Sequence, residues 1–121
     1  MKRQKPLRKI SPRRRLVLAE LNRVVKIWWD ALVRNAAPYV PVCDWPGCKR
    51  PAGKRPHHLI PRSVRPDLIC EPLNFAGTCQ KHHDYAHSHP AEAYKIGFMG
   101  RSTDKLSDLW ERLLRAQKEA K

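Results

Sequence analysis

The sequence predicts a small α+β domain in which a short strand and a helix share a metal-stapled centre with a zinc knuckle, flanked by an N-terminal and a C-terminal helix. Three observations predict it. Two adjacent histidine pairs, His57/His58 and His82/His83, stand with His87 downstream of the cysteine pair Cys43 and Cys48 and around Cys79. Apolar residues recur at helical spacing near both ends of the chain. The 11 prolines fall mostly in the first three-quarters, which makes the middle loop-rich rather than sheet-dominated. A chain of 121 residues forms one domain with barely enough interior for one core, so a structural metal would help it fold.

Residues 1–15 (MKRQKPLRKISPRRR) are nearly all basic and broken by proline, the composition of a flexible arm with little to bury. The single domain then runs over 16–121. Ser11 and Pro12 suit an N-cap and a first helical position. From there to about Asn35 the residues Val17, Leu18, Leu21, Val24, Val25, Trp28, Leu32 and Val33 share one face, predicting a helix that covers the metal unit and is ended by Pro38 and Pro41. Residues 42–56 (VCDWPGCKRPAGKRP) read as a knuckle, two cysteines clasping a tight turn at Pro46 and Gly47. His57 to Ile60 suits a short strand stopped by Pro61, and Arg62 to Leu73 an irregular loop. Asn74 to Thr78 lead into a helix from about Cys79 to His89. A shorter helix from Pro90 through Tyr94 and Ile96 breaks at Gly97 and Gly100. Ser102 to Asp104 offer caps for a last helix with Leu106, Leu109, Trp110, Leu113 and Leu114 on one face.

An α-helix turns about 100° per residue, so residues three or four apart share a face and neighbours do not. Cys79 and His82 therefore serve one site, and His83 and His87 another. The first set is Cys43, Cys48, Cys79 and His82, a closed tetrahedral Cys3His arrangement whose soft thiolates favour zinc over magnesium and whose role is folding. Cys70 competes with His82 for the fourth place, or is a buried small apolar residue. The second set is His57 from the strand with His83 and His87 from the helix, three neutral imidazoles that leave room for water and a phosphate oxygen, as a catalytic divalent cation requires. In an extended strand His58 points away from His57, which leaves it free to act as a base near neutral pH. Asn74 would fix its tautomer by accepting from its remote N–H through a side-chain or main-chain carbonyl. His89 reads as an ordinary surface histidine.

The formal charge of +14 draws a chain toward polyanions, nucleic acid first; an acidic protein or membrane surface is the blander alternative. No apolar stretch approaches a transmembrane span, and the basic start lacks the apolar run of an export signal. An even number of cysteines admits two disulfides. Histidines interspersed at ligand spacing favour reduced, metal-bound thiolates in a cytoplasmic protein instead.

Read together, the order His-His, Asn, Cys-x2-His-His, x3, His resembles the HNH endonuclease family over about Cys43 to His89, the motif core. The resemblance implies a ββα-metal fold, a β-hairpin followed by a helix around one ion. It implies that His58 is the general base, that Asn74 orients it, and that His57, His83 and His87 hold the ion, the first and last as in the colicin-type nuclease domains. Cys43, Cys48 and Cys79 match the cysteines of members with a structural zinc; His82 stands where those members have a fourth cysteine. With no acidic ligand, zinc, nickel or manganese suits the catalytic site, and magnesium is also admitted. Small basic proteins of this shape resemble those carried by bacteriophages and prophages, which implies a bacterial host cytoplasm.

The expected activity is metal-dependent hydrolysis of phosphodiester bonds in DNA. Arg62 and Arg65 are candidate phosphate clamps, with Lys49, Arg50, Lys54 and Arg55 holding the backbone nearby without reading sequence. A competing reading is a non-catalytic, zinc-stabilised nucleic-acid-binding module. A third uses the Trp28 and Trp29 helix as a partner surface, which would support a dimer; the sequence leaves monomer or dimer open.

Overall fold

The computed structural model describes residues 11–120, and the fold is a small α+β arrangement of four helices and one two-stranded antiparallel sheet. Most of the basic arm, residues 1–10, lies outside the described residues. Helix α1 (Pro12–Ala36) begins inside that arm, with the Ser11 hydroxyl accepting from the Arg14 N–H as an N-cap. It ends as two prolines approach: Ala37 is the C-cap, its N–H donating to the Val33 carbonyl.

A knuckle follows, closed by a bridge between Val42 and Pro51 and by the Cys43 N–H donating to the Arg50 carbonyl. At its tip Gly47 takes a φ of 78°, a left-handed turn that glycine adopts without strain. Strand β1 is only His57–His58 and pairs with β2, Phe75–Ala76, in the register His57 to Ala76 and His58 to Phe75. The expected strand is thus half as long, because at Ile60 the partner is no longer main chain but the Asn74 side chain. The connection between the strands is not irregular throughout. It contains two single 3-10 turns, Pro66–Leu68 and Pro72–Asn74, each started by a proline at its first position.

Helix α2 (Gln80–Ser88) has Cys79 as N-cap, and α3 (Pro90–Lys95) follows after His89. Segment 96–100 then runs back under the hairpin, where the Gly100 N–H donates to the Leu59 carbonyl at 2.7 Å. Helix α4 (Leu106–Glu119) closes the fold. Its expected caps are used elsewhere: the Asp104 carboxylate accepts from the Arg101 N–H at 2.7 Å, closing a turn of its own, so Lys105 is the cap residue and supplies no side-chain bond.

The core lies between hairpin, α2, α3 and α4, and comprises Leu59, Ile60, Ala76, Ala86, Ala93, Phe98, Leu109 and Leu113 with Cys43 and Trp45 of the knuckle. Leu114, expected on the buried face of α4, is 55% exposed. Helix α1 stays outside this core, and none of its described residues is fully buried. Leu18, Leu21, Val24, Val25, Trp28 and Leu32 are half-buried, while Val17 and Val33 at the stripe's margins are exposed. Helix α1 packs on the Pro72–Asn74 turn, with the Trp28 ring edge-on to Phe75 of β2 at 5.7 Å. Among the described residues, no helix is long and apolar enough to cross a membrane.

Leu109 is fully buried, and Gly100 lies so close to it that a Cβ there would meet its Cδ1 at 2.4 Å. Leu109→Ala should therefore cost about 3 kcal/mol of unfolding free energy. Gly100→Ala should also destabilise, by overpacking. Denaturant titration measures both.

Candidate metal centres

The knuckle and the start of α2 bring four ligand atoms together. Cys43, Cys48, Cys79 and His82 offer atoms that all lie within 4.8 Å of one another. Cys79 Sγ is 3.3 Å from His82 Nδ1, Cys48 Sγ is 3.9 Å from Cys79 Sγ, and Cys43 Sγ is 3.9 Å from His82 Nδ1. The chain makes this contact because Cys79 caps α2 with its main chain only, leaving the thiol free to turn toward His82 one turn on. Trp45 then stacks flat on the His82 ring at 5.1 Å and fixes its plane. Three thiols and an imidazole so placed could hold a metal ion. Cys70 is not among them. It sits in the strand connection, its Sγ 4.0 Å from the Val17 carbonyl of α1, so it replaces neither His82 nor any cysteine.

The thiols of this cluster are driven apart. Burial pushes the Cys43 thiol up to about 12. For Cys79 burial acts in the same direction but is outweighed by the hydrogen bond from the His82 main chain, bonds from Cys43 and Cys48, and the Arg50 charge, which together lower it. Without a cation only part of the cluster can carry charge, and a bound cation would release the remaining protons. Burial first, and the charges of Lys81 and Arg50 next, lower the His82 imidazole, so it is neutral at physiological pH.

The second cluster faces a separate cleft. His57, His83 and His87 offer ring nitrogens within 4.8 Å of one another. His83 and His87, four apart on α2, lie with ring centroids 4.8 Å apart, and His57 comes from β1 at 5.7 Å from His83 and 6.3 Å from His87. His57 is almost completely buried, and burial pushes its ring down to about 3, so it is neutral. Its Nε2 lies 2.7 Å from the Phe98 carbonyl. A neutral ring that donates there carries its lone pair on Nδ1, available to a cation. The Phe98 ring stacks on the same imidazole at 4.1 Å. Phe98 thus orients His57 twice, a role that sequence reasoning missed; its place between Gly97 and Gly100 was the one available signal.

His58 lines the same cleft, of about 390 Å³, with Arg62, Ser63 and Met99. Its Nε2 lies 2.9 Å from the Ile69 carbonyl, which leaves the Nδ1 lone pair of the neutral ring uncommitted. Burial, aided by the Arg62 charge, holds the ring below the ordinary imidazole range. The expected partnership with Asn74 is corrected here. The fully buried Asn74 side chain accepts from the Ile60 N–H at 2.8 Å and donates to the Ile60 carbonyl at 3.0 Å and the Leu68 carbonyl at 3.3 Å. Its main-chain carbonyl accepts from Leu59. Asn74 thereby closes the loop that delivers the Ile69 carbonyl, so its action on His58 is indirect.

Of the basic residues expected around the site, Arg62 lines the cleft and Arg55 an adjoining depression beside His83. Arg65 is corrected: its guanidinium grips Asp67 with two bonds of 2.9 and 2.7 Å and donates to the Ser102 carbonyl at 3.0 Å, which makes it a brace. Lys49 lines a depression beside the knuckle. Lys49, Arg50 and Lys54 are exposed and line neither the cleft nor the depression at Arg55.

Comparison with protein-family models, curated proteins and solved structures returns no match to this chain. The site is therefore read from its own geometry. Cys79→Ser should remove one tightly held ion per chain and abolish cooperative unfolding, whereas Cys70→Ser should keep both. Structural metal binding of this type contributes about 10 kcal/mol or more, as much as the whole stability of a small domain at about 5–15 kcal/mol. Elemental analysis and thermal melts decide it.

Proposed function

We propose that this chain is a metal-dependent HNH endonuclease with a ββα-metal core, hydrolysing phosphodiester bonds in DNA. The observation that carries the reading is the juxtaposition of His58 with three converging imidazoles at an open cleft on a chain of charge +14. In this reading Cys43, Cys48, Cys79 and His82 hold a structural zinc. The corners of a tetrahedron built on Zn–S bonds of about 2.3 Å lie about 3.8 Å apart, close to the 3.9 Å between Cys48 and Cys79. His57, His83 and His87 hold one divalent cation, and their all-nitrogen donor set suits zinc, nickel or manganese better than magnesium.

A cation held there would polarise a nonbridging phosphate oxygen and neutralise the leaving 3′-oxygen. His58 then serves as general base: with its Nε2–H anchored on Ile69, Nδ1 takes the proton of the attacking water. Arg62 supports the negative charge that develops on phosphorus oxygens, and its charge adds to the burial that holds the His58 ring below its usual range and favours the unprotonated form. Arg62 and Arg55 position the strand through phosphates, which carry no sequence information. Cytoplasmic action in a bacterial host, phage-borne or not, fits thiolate zinc ligands.

Plasmid incubated with the protein and a series of divalent ions tests the proposal. Wild type should nick or cut, and His58→Ala should lower the rate by about 10²–10⁴ with binding, folding and bound zinc unchanged. Absence of cleavage with every ion would leave a zinc-stabilised nucleic-acid-binding module in its place. Asn74→Ala should cost stability as well as rate, since it strips three side-chain bonds, two of them buried; a full rate in a folded protein would show that the loop holds the Ile69 carbonyl without it.

A further inference from the structure

The histidine cleft is the middle member of a series of three depressions, and the residues they share establish the order. Arg62 and Ser63 line both the cleft and a groove of about 690 Å³ whose other wall is the start of α1. Pro56 and His83 line both the cleft and the depression at Arg55, of about 470 Å³. A path therefore leads from α1 across the histidines to the side of α2.

The α1 groove has the chemistry of a polyanion site. Arg13 and Arg14 stand on its rim, both exposed and neither paired with a carboxylate among the described residues. Its one acidic residue, Asp67, is already gripped by the two bonds from Arg65. Its apolar lining, Val17, Leu18 and Ile69, can take the uncharged face of a sugar. Ile69 also supplies the carbonyl that anchors His58, so the groove floor and the base are one piece of chain. Arg13 and Arg14 are held in place because Ser11 and Pro12 start the helix just before them, the Ser11 hydroxyl accepting from the Arg14 main chain.

We infer that this groove binds the backbone of the substrate strand beyond the reacting phosphodiester, with Arg13 and Arg14 on flanking phosphates and Arg62 shared between groove and cleft. The inference takes the identity of the strand, nucleic acid, from the function proposed above, but it does not depend on hydrolysis. An acidic peptide would also be attracted by charge; continuity with the histidine cleft favours a phosphodiester chain.

Binding of a fluorescently labelled DNA duplex of arbitrary sequence, followed by anisotropy over a range of salt concentrations, tests it. His58→Ala serves as the background so that the probe stays intact. Each phosphate contact contributes about 0.9 to the slope of log K against log salt, so Arg13→Gln with Arg14→Gln should reduce the slope by up to about 2. Glutamine keeps helix propensity, and the Ser11 cap uses only the main chain of Arg14, so the melting temperature should not move. Arg115→Gln with Lys118→Gln, the same charge loss on α4, is the control and should change the slope less. In the active protein the groove variant should raise KM and leave kcat intact. An unchanged slope, or a control variant that matches it, overturns the inference. A wild type that never cleaves plasmid while the groove variant still loses slope sinks the nuclease reading and leaves the groove standing.

Discussion

A hairpin of two residues per strand cannot by itself orient a nine-residue helix, so the position of α2 depends on the joint at its beginning. There Cys79 and His82 meet Cys43 and Cys48 of the knuckle. The joint fixes rotation as well as location. With Cys79 and His82 turned toward the knuckle, the pitch of the helix leaves His83 and His87 only one direction to face, and that direction is β1. The two clusters are thus not independent. The packing of the first sets the angle at which the second presents its imidazoles, and Trp45 stacked on His82 limits the play in that angle.

The second constraint is that both histidines of β1 are oriented by carbonyls from elsewhere in the chain. His57 is anchored by Phe98 and His58 by Ile69. A main-chain carbonyl can only accept, so each contact selects the tautomer that donates from Nε2 and leaves the Nδ1 lone pair. One ring is almost sealed and the other half-open, and burial disfavours the charged form of both. Two adjacent residues of like chemistry acquire separate uses, one suited to holding a cation and one to taking a proton, through loops that close far from them in sequence.

Ligand sorting was legible because it depends on helix pitch and strand alternation, which are local. So were α1 and α3 and the apolar face of α4, since their periodicity and proline punctuation lie within each segment. What was not legible depends on distant partners. Nothing in the residues 62–73 announces that the Ile69 carbonyl meets His58, and a carbonyl leaves no trace in the side-chain alphabet. The sequence points Asn74 to the right neighbourhood but not to its bond, because its amide can complete a strand as well as orient a ring, and the buried main chain of Ile60 is the stronger claimant. Arg65 has the composition of a clamp, but Asp67, two residues on, satisfies it. Leu114 and Val33 stay exposed although they belong to the apolar arcs of α4 and α1.

Helix α1 shows why a peripheral element can matter to a site it does not enter. It adds no fully buried side chain, and its half-buried stripe rests on the strand connection and on Phe75. Phe75 in turn meets the His58 ring edge-on at 5.2 Å, so Trp28, Phe75 and His58 form one line of aromatic contact from α1 to β1. Such contacts are worth about 0.5–1.5 kcal/mol each beyond burial, small beside the stability of a domain but comparable to the energy that separates one ring position from another. The connection carrying Ile69 and Asn74 is therefore held from both sides, by the hairpin beneath and α1 above. A loop so confined keeps its carbonyl still, and His58 keeps its tautomer. The same packing places the first turn of α1 beside Arg62, so the element that steadies the loop also extends the cationic surface away from the cleft.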